Sequence, residues 1–594
     1  MKQLFRGDRS RLKWFLAIAA VGALVIVATA LAFNSDTLVS VGNPYPSSPF
    51  SQNKQNEPAI AMDANHELVL AAGANDNIDM EACNAGDPTT CPFTAGIGGS
   101  GIYFSFDGGK TWTQPTYTGL TARDCLGPAA CIAHVGPIGT LPWYSENGLV
   151  SDGDPALAFG PRPGANGFSW ANGSRLYYAN LSSNLGAKKD ETFKGFEAIY
   201  VSRTDGPQVA AQGGVAGKAA WMQPVRISQQ SSATFADKEQ IWADNAASSS
   251  FFGNVYVCWE NFVGSSGPLV VARSRDGGAT WSQEKVTPGH AAAAKHWGQS
   301  GCTVRTDSDG VVYVFYEEFQ NPEKVELPPA GTHFLVKSFD GGATWTKPLA
   351  LYSVVDPCFA LSFDGTANRC VEDGLAGARN DLSASPSVSI ANGAPTGAGA
   401  TNEIVNAWAD GRDGLDNEHV LFSYSNGGGV PGSWSAPATI ESLTTDRGYY
   451  AAPAISPTGG DVWVVYNAFT TPFRTTTSAP RSLVGVVTHA SITGGTVGAF
   501  SQVHRGAPGD PRGSSQNNLV IEFLGDYVYA VAGNSYATAV WNDVRDAADC
   551  PAIDAWRAGV QTPTPSDDVS RPAPQAACPA TFGNTDIFGW TSAP

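Results

Sequence analysis

One octapeptide pattern, Ser-x-Asp-Gly-Gly-x-Thr-Trp, constrains the fold of this chain more than any other feature. It occurs three times: Ser105-Phe106-Asp107-Gly108-Gly109-Lys110-Thr111-Trp112, Ser274-Arg275-Asp276-Gly277-Gly278-Ala279-Thr280-Trp281 and Ser338-Phe339-Asp340-Gly341-Gly342-Ala343-Thr344-Trp345. Each copy follows a short apolar run and precedes another strand-like segment, which predicts a hairpin. The Gly pair supplies the positive φ angles of a tight turn, and the Asp and Ser side chains bond to turn amides. The Trp then anchors the outgoing strand with a large apolar surface and one polar handle. Two adjacent Gly after Asp arise easily by chance; Ser, Thr and Trp at fixed offsets three times over do not.

Behind the octapeptides runs a longer, weaker repeat. Each unit opens with polar residues, continues into a short apolar strand, and adds a second strand rich in Val, Tyr and Trp that ends in polar residues. The first strands begin near Asn56-Glu57-Pro58, Asp152-Gly153-Asp154-Pro155, Asp237-Lys238-Glu239, Gly298-Gln299-Ser300, Ser385-Pro386, Tyr449 and Gly525-Asp526-Tyr527. These seven units lie roughly 60 to 95 residues apart, a period that fits a four-stranded propeller blade with its loops. Unit five carries a broken octapeptide, Ser423 to Gly428, with Trp434 displaced. The seventh, ending at Asn584 to Trp590, reaches only a third strand; Thr37 to Val41 is expected to supply the fourth and close the ring. The predicted fold is all-β, a seven-bladed β-propeller over residues 34–594, with six blades as the alternative.

Composition agrees with many turns and little helix: the 594 residues include 66 Gly and 16 Trp, and 15% are charged. The formal net charge of −18 leaves no basic stripe to neutralise phosphates, which argues against nucleic acid. Lys2, Arg6, Arg9, Arg11 and Lys13 precede an apolar run from Trp14 to Phe33, so residues 1–33 are expected to be a signal peptide or a membrane anchor. Everything after them is then extracytoplasmic, secreted or tethered, and touches a membrane only through that segment. Ten cysteines fit the compartment. Cys83 with Cys91, Cys125 with Cys131, Cys358 with Cys370 and Cys550 with Cys578 read as loop-closing disulfides. Cys258 and Cys302 sit in strand-like runs of neighbouring units, where a bridge and two buried thiols are equally compatible with the sequence. The loops Ile78 to Ser100, Thr113 to Ser151, Asp356 to Ser383 and Ala547 to Phe582 are long enough to be functional. A monomer is expected.

The octapeptide is the Asp-box, and through it the chain resembles the Asp-box (BNR-repeat) β-propellers, the sialidase/neuraminidase-like superfamily. In that family the box closes the turn between the two outer strands of a blade, away from the central site, so the resemblance implies a structural role for it. It also implies a glycan-directed activity at the mouth of the central channel, where the polar residues before each first strand and after each second strand converge. Sialidases use a Tyr nucleophile helped by a Glu, an Asp acid/base and three Arg on the substrate carboxylate. The matching candidates are Asp154 as acid/base, Tyr449, Tyr450 or Tyr527 as nucleophile, and Glu239 or Glu317 as its partner. Arg412, Arg447 and Arg545 are the candidate clamp. The family's Arg-Ile-Pro segment is absent, however: Asn56-Glu57-Pro58-Ala59 stands in its place, and no Arg occurs between Lys13 and Arg123. The clamp therefore cannot be built in the family's way, and exo-sialidase activity itself is in doubt.

Two copies of Trp-x-Asp-x-Arg, at Trp408 to Arg412 and Trp541 to Arg545, place Asp410 and Asp543 beside candidate Arg residues. Such Arg residues grip a sugar carboxylate with two hydrogen bonds, or else pair with their own Asp to hold a turn. The functional expectation is a glycosidase or polysaccharide lyase; the alternative is a non-catalytic surface propeller that binds glycan or protein. No cofactor is expected. A structural calcium at rim carboxylates such as Asp76 and Asp79 is the one metal role considered, without EF-hand spacing to support it.

Overall fold

The structure is a computed structural model that describes residues 36–42, 53–186, 192–263, 267–288, 297–562 and 570–592. The expected leader over residues 1–33 lies outside the described residues. Among those described, no helix is long and apolar enough to cross a membrane.

Among the described residues seven antiparallel sheets of three to five strands make the blades, and two two-stranded sheets, Tyr117–Thr121 with His134–Ile138 and Ala360–Phe363 with Asn368–Val371, lie in the loops between them. Blade 1 runs Gln55–Met62, Leu70–Asp76 and Ser100–Ser105, with Thr113 bridging Phe104 where a fourth strand would lie. Blade 2 comprises Leu149–Gly164, Gly167–Asn184, Ala198–Thr204 and Val225–Arg226; blade 3 Thr234–Ala243, Val255–Val263, Leu269–Ser274 and Ser282–Lys285. Trp297–Thr306, Val312–Gln320, Ala330–Ser338 and Leu349–Val355 make blade 4. Blade 5 is Ser387–Ile390, Ile404–Asp410, His419–Ser425 and Ala438–Thr439; blade 6 is Arg447–Ile455, Asp461–Phe469, Leu483–Thr493 and Ser501–Arg505. Blade 7 takes Tyr529–Ala532, Ala537–Asp543 and Asp586–Thr591 from the C-terminal part and Thr37–Leu38 from the N-terminal part. The first strand of each blade packs against the first strands of its two neighbours, and blade 7 packs back on blade 1, so the ring is closed. Seven blades, not six, complete it.

The sequence explains the taper. First strands are rich in buried alanine (Ala59, Ala61, Ala156, Ala158, Ala452, Ala454), which lets seven strands crowd the axis. Second strands carry the bulk, including the fully buried Trp259, Trp408 and Trp541. The core is accordingly a set of wedges between blades: Ala156, Ala158 and Tyr177 of blade 2 face Ile241, Val257 and Trp259 of blade 3. Ring closure follows the predicted pairing, with Thr37 opposite Gly589, Leu38 opposite Phe588, and the Val39 N–H on Ile587 O at 2.9 Å.

Each octapeptide closes the turn after a blade's third strand. In blade 3 the Asp276 carboxylate accepts from Thr280 N (2.9 Å), Thr280 Oγ1 (2.6 Å), Ala279 N (3.0 Å) and Ser274 Oγ (2.8 Å), while Gly278 N donates to Ser274 Oγ at 2.8 Å. Blades 1 and 4 repeat the central bonds of this pattern. The turns also join blades. Arg203 and Arg175 of blade 2 donate to Gly277 O of the blade 3 turn, and Arg273 of blade 3 to Gly341 O of the blade 4 turn at 2.9 Å. Lys337 of blade 4 likewise bonds Gly428 O in the broken copy of blade 5. Gly277 and Gly278 take φ of 72° and 82°, and a Cβ on Gly278 would meet Arg203 Cδ at 2.7 Å, so the turn needs glycine twice over.

All ten cysteines are paired: the four local bridges form as read, and Cys258–Cys302 joins the second strand of blade 3 to the first of blade 4. Five disulfides suit an oxidising, extracytoplasmic compartment. The loop over 547–582 departs from expectation by containing a ten-residue helix, Pro551–Val560. Pro551 stands at its first turn, and Ile553 and Trp556 bury one face beneath the Cys550–Cys578 bridge.

Candidate active site at the channel mouth

The first strands of blades 1 to 4 are each interrupted by a bulge at the same level, between Asn56 and Ala59, Gly153 and Ala156, Asp237 and Gln240, and Ser300 and Thr303. The bulged residue is left-handed every time: Glu57 at φ 55°, Asp154 at 49°, Lys238 at 59° and Gly301 at 65°. Only the last is glycine. Left-handed backbone at a non-glycine residue costs about 1–2 kcal/mol, and bulges of this kind commonly re-aim side chains beside active sites. Here three strained positions deliver three charged groups to one place.

They meet around Lys238. Its Nζ lies 2.5 Å from Asp526 Oδ2, 3.2 Å from Asp154 Oδ2 and 3.8 Å from Asp237 Oδ1. Asp526 also receives Arg379 Nη2 at 3.1 Å, and Arg379 Nε reaches Asp381 at 3.0 Å. Glu57 accepts from Asn75 Nδ2 at 2.8 Å, and Asn75 Oδ1 in turn holds the Asp154 N–H at 2.8 Å. Five carboxyl groups (Glu57, Asp154, Asp237, Asp381, Asp526) thus surround one ammonium and one guanidinium, and burial and charge separate the proton affinities of Glu57, Asp237 and Asp526. Burial, reinforced by Asp154, pushes Glu57 well above the usual carboxylate range. Burial also lifts Asp237 to about 7, with Asp154 and Asp526 raising it further against the pull of Lys238. Asp526 is the opposite case: burial would raise it, but Lys238 and Arg379 hold it well below the usual range. Burial would likewise lower the Lys238 ammonium, and Asp154, Asp237 and Asp526 instead push it well above its ordinary value. Carboxyls driven apart in this way are the arrangement that acid–base chemistry uses.

The cluster opens into a groove of about 430 Å³ between blades 3 and 4 and the 356–383 loop. Asp237 and Lys238 form its inner end, Phe262 and Phe319 give it apolar walls, and Gln299 and Asn380 add amides. Below the mouth a smaller cavity of about 60 Å³ continues the channel past Glu239, Tyr450 and Tyr527.

The sequence candidates divide into those at this centre and those held elsewhere. Asp154 is central. Glu239 lines the lower cavity with both carboxyl oxygens lacking a hydrogen bond, and burial and Asp154 push its proton affinity well up. Glu317 is buried and accepts from Ser385 Oγ at 3.2 Å; burial and Asp356 raise it. The phenols are not activated. Tyr449 is fully buried and donates to Arg379 O, and burial raises its pKa well above that of a free phenol. Tyr450 lies against it with rings 4.2 Å apart, raised by burial and by Tyr449. Tyr527 is raised by burial and by Asp154 and Glu57, and its hydroxyl has no partner among the described residues.

The expected clamp is not assembled. Arg412 forks onto its own Asp410 (Nε 2.7 Å, Nη2 2.8 Å), while Trp408 Nε1 donates to the same carboxylate at 2.9 Å. Arg545 and Trp541 treat Asp543 identically, at 2.8, 2.7 and 3.0 Å. Arg545 also pairs with Asp36 and lies 3.9 Å over the Phe588 ring. Arg447 is buried against Glu418 at 2.9 Å and the carbonyls of Glu372 and Thr471. Three guanidiniums are therefore spent on three separate turns, and the pairing reading of Trp-x-Asp-x-Arg is the one the geometry follows. The rim carboxylates considered for calcium are likewise occupied by donors. Asp76 takes Gln55, Tyr103 and Gln114, and Asp79 takes Gly139 N, Thr140 and Arg123. Among the described residues no His, Cys, Asp and Glu group is arranged to hold a metal ion.

Arg379 is the central residue that sequence reasoning missed. It comes from a loop with no repeat signal, and only that loop's length marked it. Asp237 opens the third unit, where the sequence reading takes Glu239 as its candidate instead.

A closed seven-bladed β-propeller with a charged, groove-fed mouth is thus the class to which fold and site assign the chain. No family model matches the sequence, and no curated relative matches it. Among solved structures it is similar to the NanB sialidase of Streptococcus pneumoniae, at 12% identity and TM-score 0.37 over 72% of this chain and 67% of that one. It is also similar to the α-L-arabinofuranosidase Arb93A of Fusarium graminearum (10%, 0.39, 73% and 92%) and the intramolecular trans-sialidase of Ruminococcus gnavus (12%, 0.37, 70% and 91%). Likeness at this level transfers no site residue.

Proposed function

We propose that this protein acts on glycans at the channel mouth, as a glycoside-cleaving enzyme with Asp237 as its proton-transferring group and Asp154 tuning it. The observation that supports this most is the cluster itself, in which three left-handed bulges and a loop Arg gather carboxyls of separated proton affinity at the inner end of a groove. Asp237, protonated toward neutral pH and 20% exposed, gives its proton to the departing glycosidic oxygen as the bond to the anomeric carbon breaks. Water then adds to that carbon and loses its proton to the Asp237 carboxylate left by the first transfer, while Asp154, 3.2 Å from Lys238, sets the charge around it. Lys238, Gln299 and Asn380 orient sugar hydroxyl or carboxylate groups, and Phe262 and Phe319 offer apolar walls to sugar faces. A tyrosine nucleophile is not part of the reading, because neither Tyr449 nor Tyr527 is activated.

The test is product release from a panel of neutral and acidic oligosaccharides by the full chain, with Asp237→Asn and Asp154→Asn alongside. Both variants are expected to lose at least ~100-fold in rate while remaining folded. Full activity in Asp237→Asn would sink the assignment. The locked guanidiniums and inactive phenols favour a second reading, a propeller that binds glycan without cleaving it; saturable binding with no product is its signature.

A further inference from the structure

The lower part of the channel contains a charge without a counter-charge. Arg305, in the first strand of blade 4, is only 9% exposed and forms no ion pair among the described residues. Its Nη1 donates to Gln240 Oε1 at 2.6 Å and to Val304 O at 2.7 Å. The guanidinium lies 4.8 Å from the centre of the Trp242 ring, whose Nε1 is itself fixed on Thr306 Oγ1 at 2.9 Å. Nε and Nη2 have no protein acceptor among the described residues. Burial lowers this guanidinium to about 10, which leaves it charged at neutral pH, and buried charges are ordinarily paired.

Gln240 relays the polarity. With its carbonyl oxygen committed to Arg305, its amide nitrogen donates to Tyr529 Oη at 2.7 Å, so the Tyr529 O–H is left to donate onward. Arg305 and Tyr529 both line a cavity of about 110 Å³ that reaches Ala64 and Gly533, in turns at the face opposite the mouth. The sole carboxylate lining it, Glu67, is held at the rim by Asn534 N at 3.0 Å. The Arg305 fork and the Tyr529 hydroxyl thus offer donors to this cavity, a setting that suits an acceptor ligand.

We propose that this cavity binds a small oxyanion, of the inorganic phosphate or carboxylate class, clasped by the Arg305 fork and the Tyr529 hydroxyl. The Arg fork matches the paired oxygens of either ligand. The site lies below the acidic mouth, sharing Gln240 and Tyr529 with the smaller cavity between them, and does not depend on the catalytic reading.

Calorimetric titration of the full chain with sodium phosphate and with sodium acetate, each against sodium chloride of equal ionic strength, tests it. Saturable binding of one anion per chain is expected, with the melting temperature rising by mass action; which salt binds more tightly names the source. Arg305→Met abolishes binding, and Tyr529→Phe, which removes one hydroxyl, weakens it about tenfold. No saturable binding to the wild type overturns the proposal, as does binding of chloride alone. Unchanged binding in Tyr529→Phe also overturns it, and that variant serves as the arbiter if Arg305→Met does not fold.

Discussion

Replacing Lys238 by Met tests the central cluster without knowledge of any substrate. Met has similar length and meets the left-handed backbone on the same terms as Lys, so the change is almost purely electrostatic. It strips Asp526, fully buried in its side chain, of its 2.5 Å partner and Asp154 of its 3.2 Å partner. Removing one member of a buried pair costs about 3–5 kcal/mol; Arg379 remains on Asp526 at 3.1 Å, which places the expectation at the lower end. With an unfolding entropy of ~2.1 cal/mol/K per residue, a chain of 594 residues shifts its Tm by only ~2–3 °C for ~3 kcal/mol. Denaturant titration is therefore the better assay. The pH dependence is the sharper readout. Asp526 has a depressed proton affinity in the folded protein, so its contribution is present above the unfolded value near 4 and is lost as pH falls below it. Lys238 has a raised one, so its contribution is present below about 10 and is lost only in alkali. In Lys238→Met, Asp526 protonates at higher pH and escapes the penalty. The stability difference should thus shrink by up to ~1.4 kcal/mol per pH unit between pH 7 and 4. A difference below about 1 kcal/mol at pH 7, or one that stays constant down to pH 4, would refute a buried, coupled cluster.

Other expectations follow from the same geometry. Asp276→Ala removes four hydrogen bonds from an exposed turn and should cost about 1–2 kcal/mol by denaturant titration, leaving glycan binding unchanged; a binding defect without destabilisation would contradict the staple role. Arg545→Ala releases Asp543, Asp36 and the Phe588 face together, so limited proteolysis should cut faster within residues 36–42, and an unaltered cleavage pattern would show the contacts idle. If Asp237 is the general acid, kcat/KM on a cleaved glycan should decline above about pH 7 as Asp237 loses its proton; a rate still rising through pH 8 rules it out.

The architecture was legible because its signals are local and repeated. Gly-Gly turns, strand pairs and the orphan strand near Thr37 each carry their own pattern, and even the broken copy at Ser425 keeps its Oγ bond to Gly429 N at 3.1 Å. The mouth was legible only in part. Asp154 and Lys238 could be placed because they sit at a repeat position, but a backbone bulge leaves no residue signature when Glu57, Asp154 and Lys238 occupy the left-handed region in glycine's stead. Arg379 reaches the centre from a cross-linked loop whose path depends on tertiary packing. Arg412 and Arg545 looked like ligand contacts because an Arg two residues from an Asp reads the same whether it faces a substrate or turns back on its neighbour. The choice lies in the side-chain rotamer, and Trp408 and Trp541 decide it by fixing the carboxylate first.

The joining of Thr37 to Gly589 also sets a clock. At ~5–20 residues per second of synthesis, the first-made strand waits between half a minute and about two minutes for its partner to be made. Until then the blades already made can form only an open arc, with the flank of blade 1 that will face blade 7 uncovered. The cross-links within single loops and between blades 3 and 4 involve earlier segments and form without waiting for the last strand. Maturation of this protein is therefore paced by synthesis of the strand Asp586–Thr591, and a chain lacking that strand would lose the circle rather than one blade.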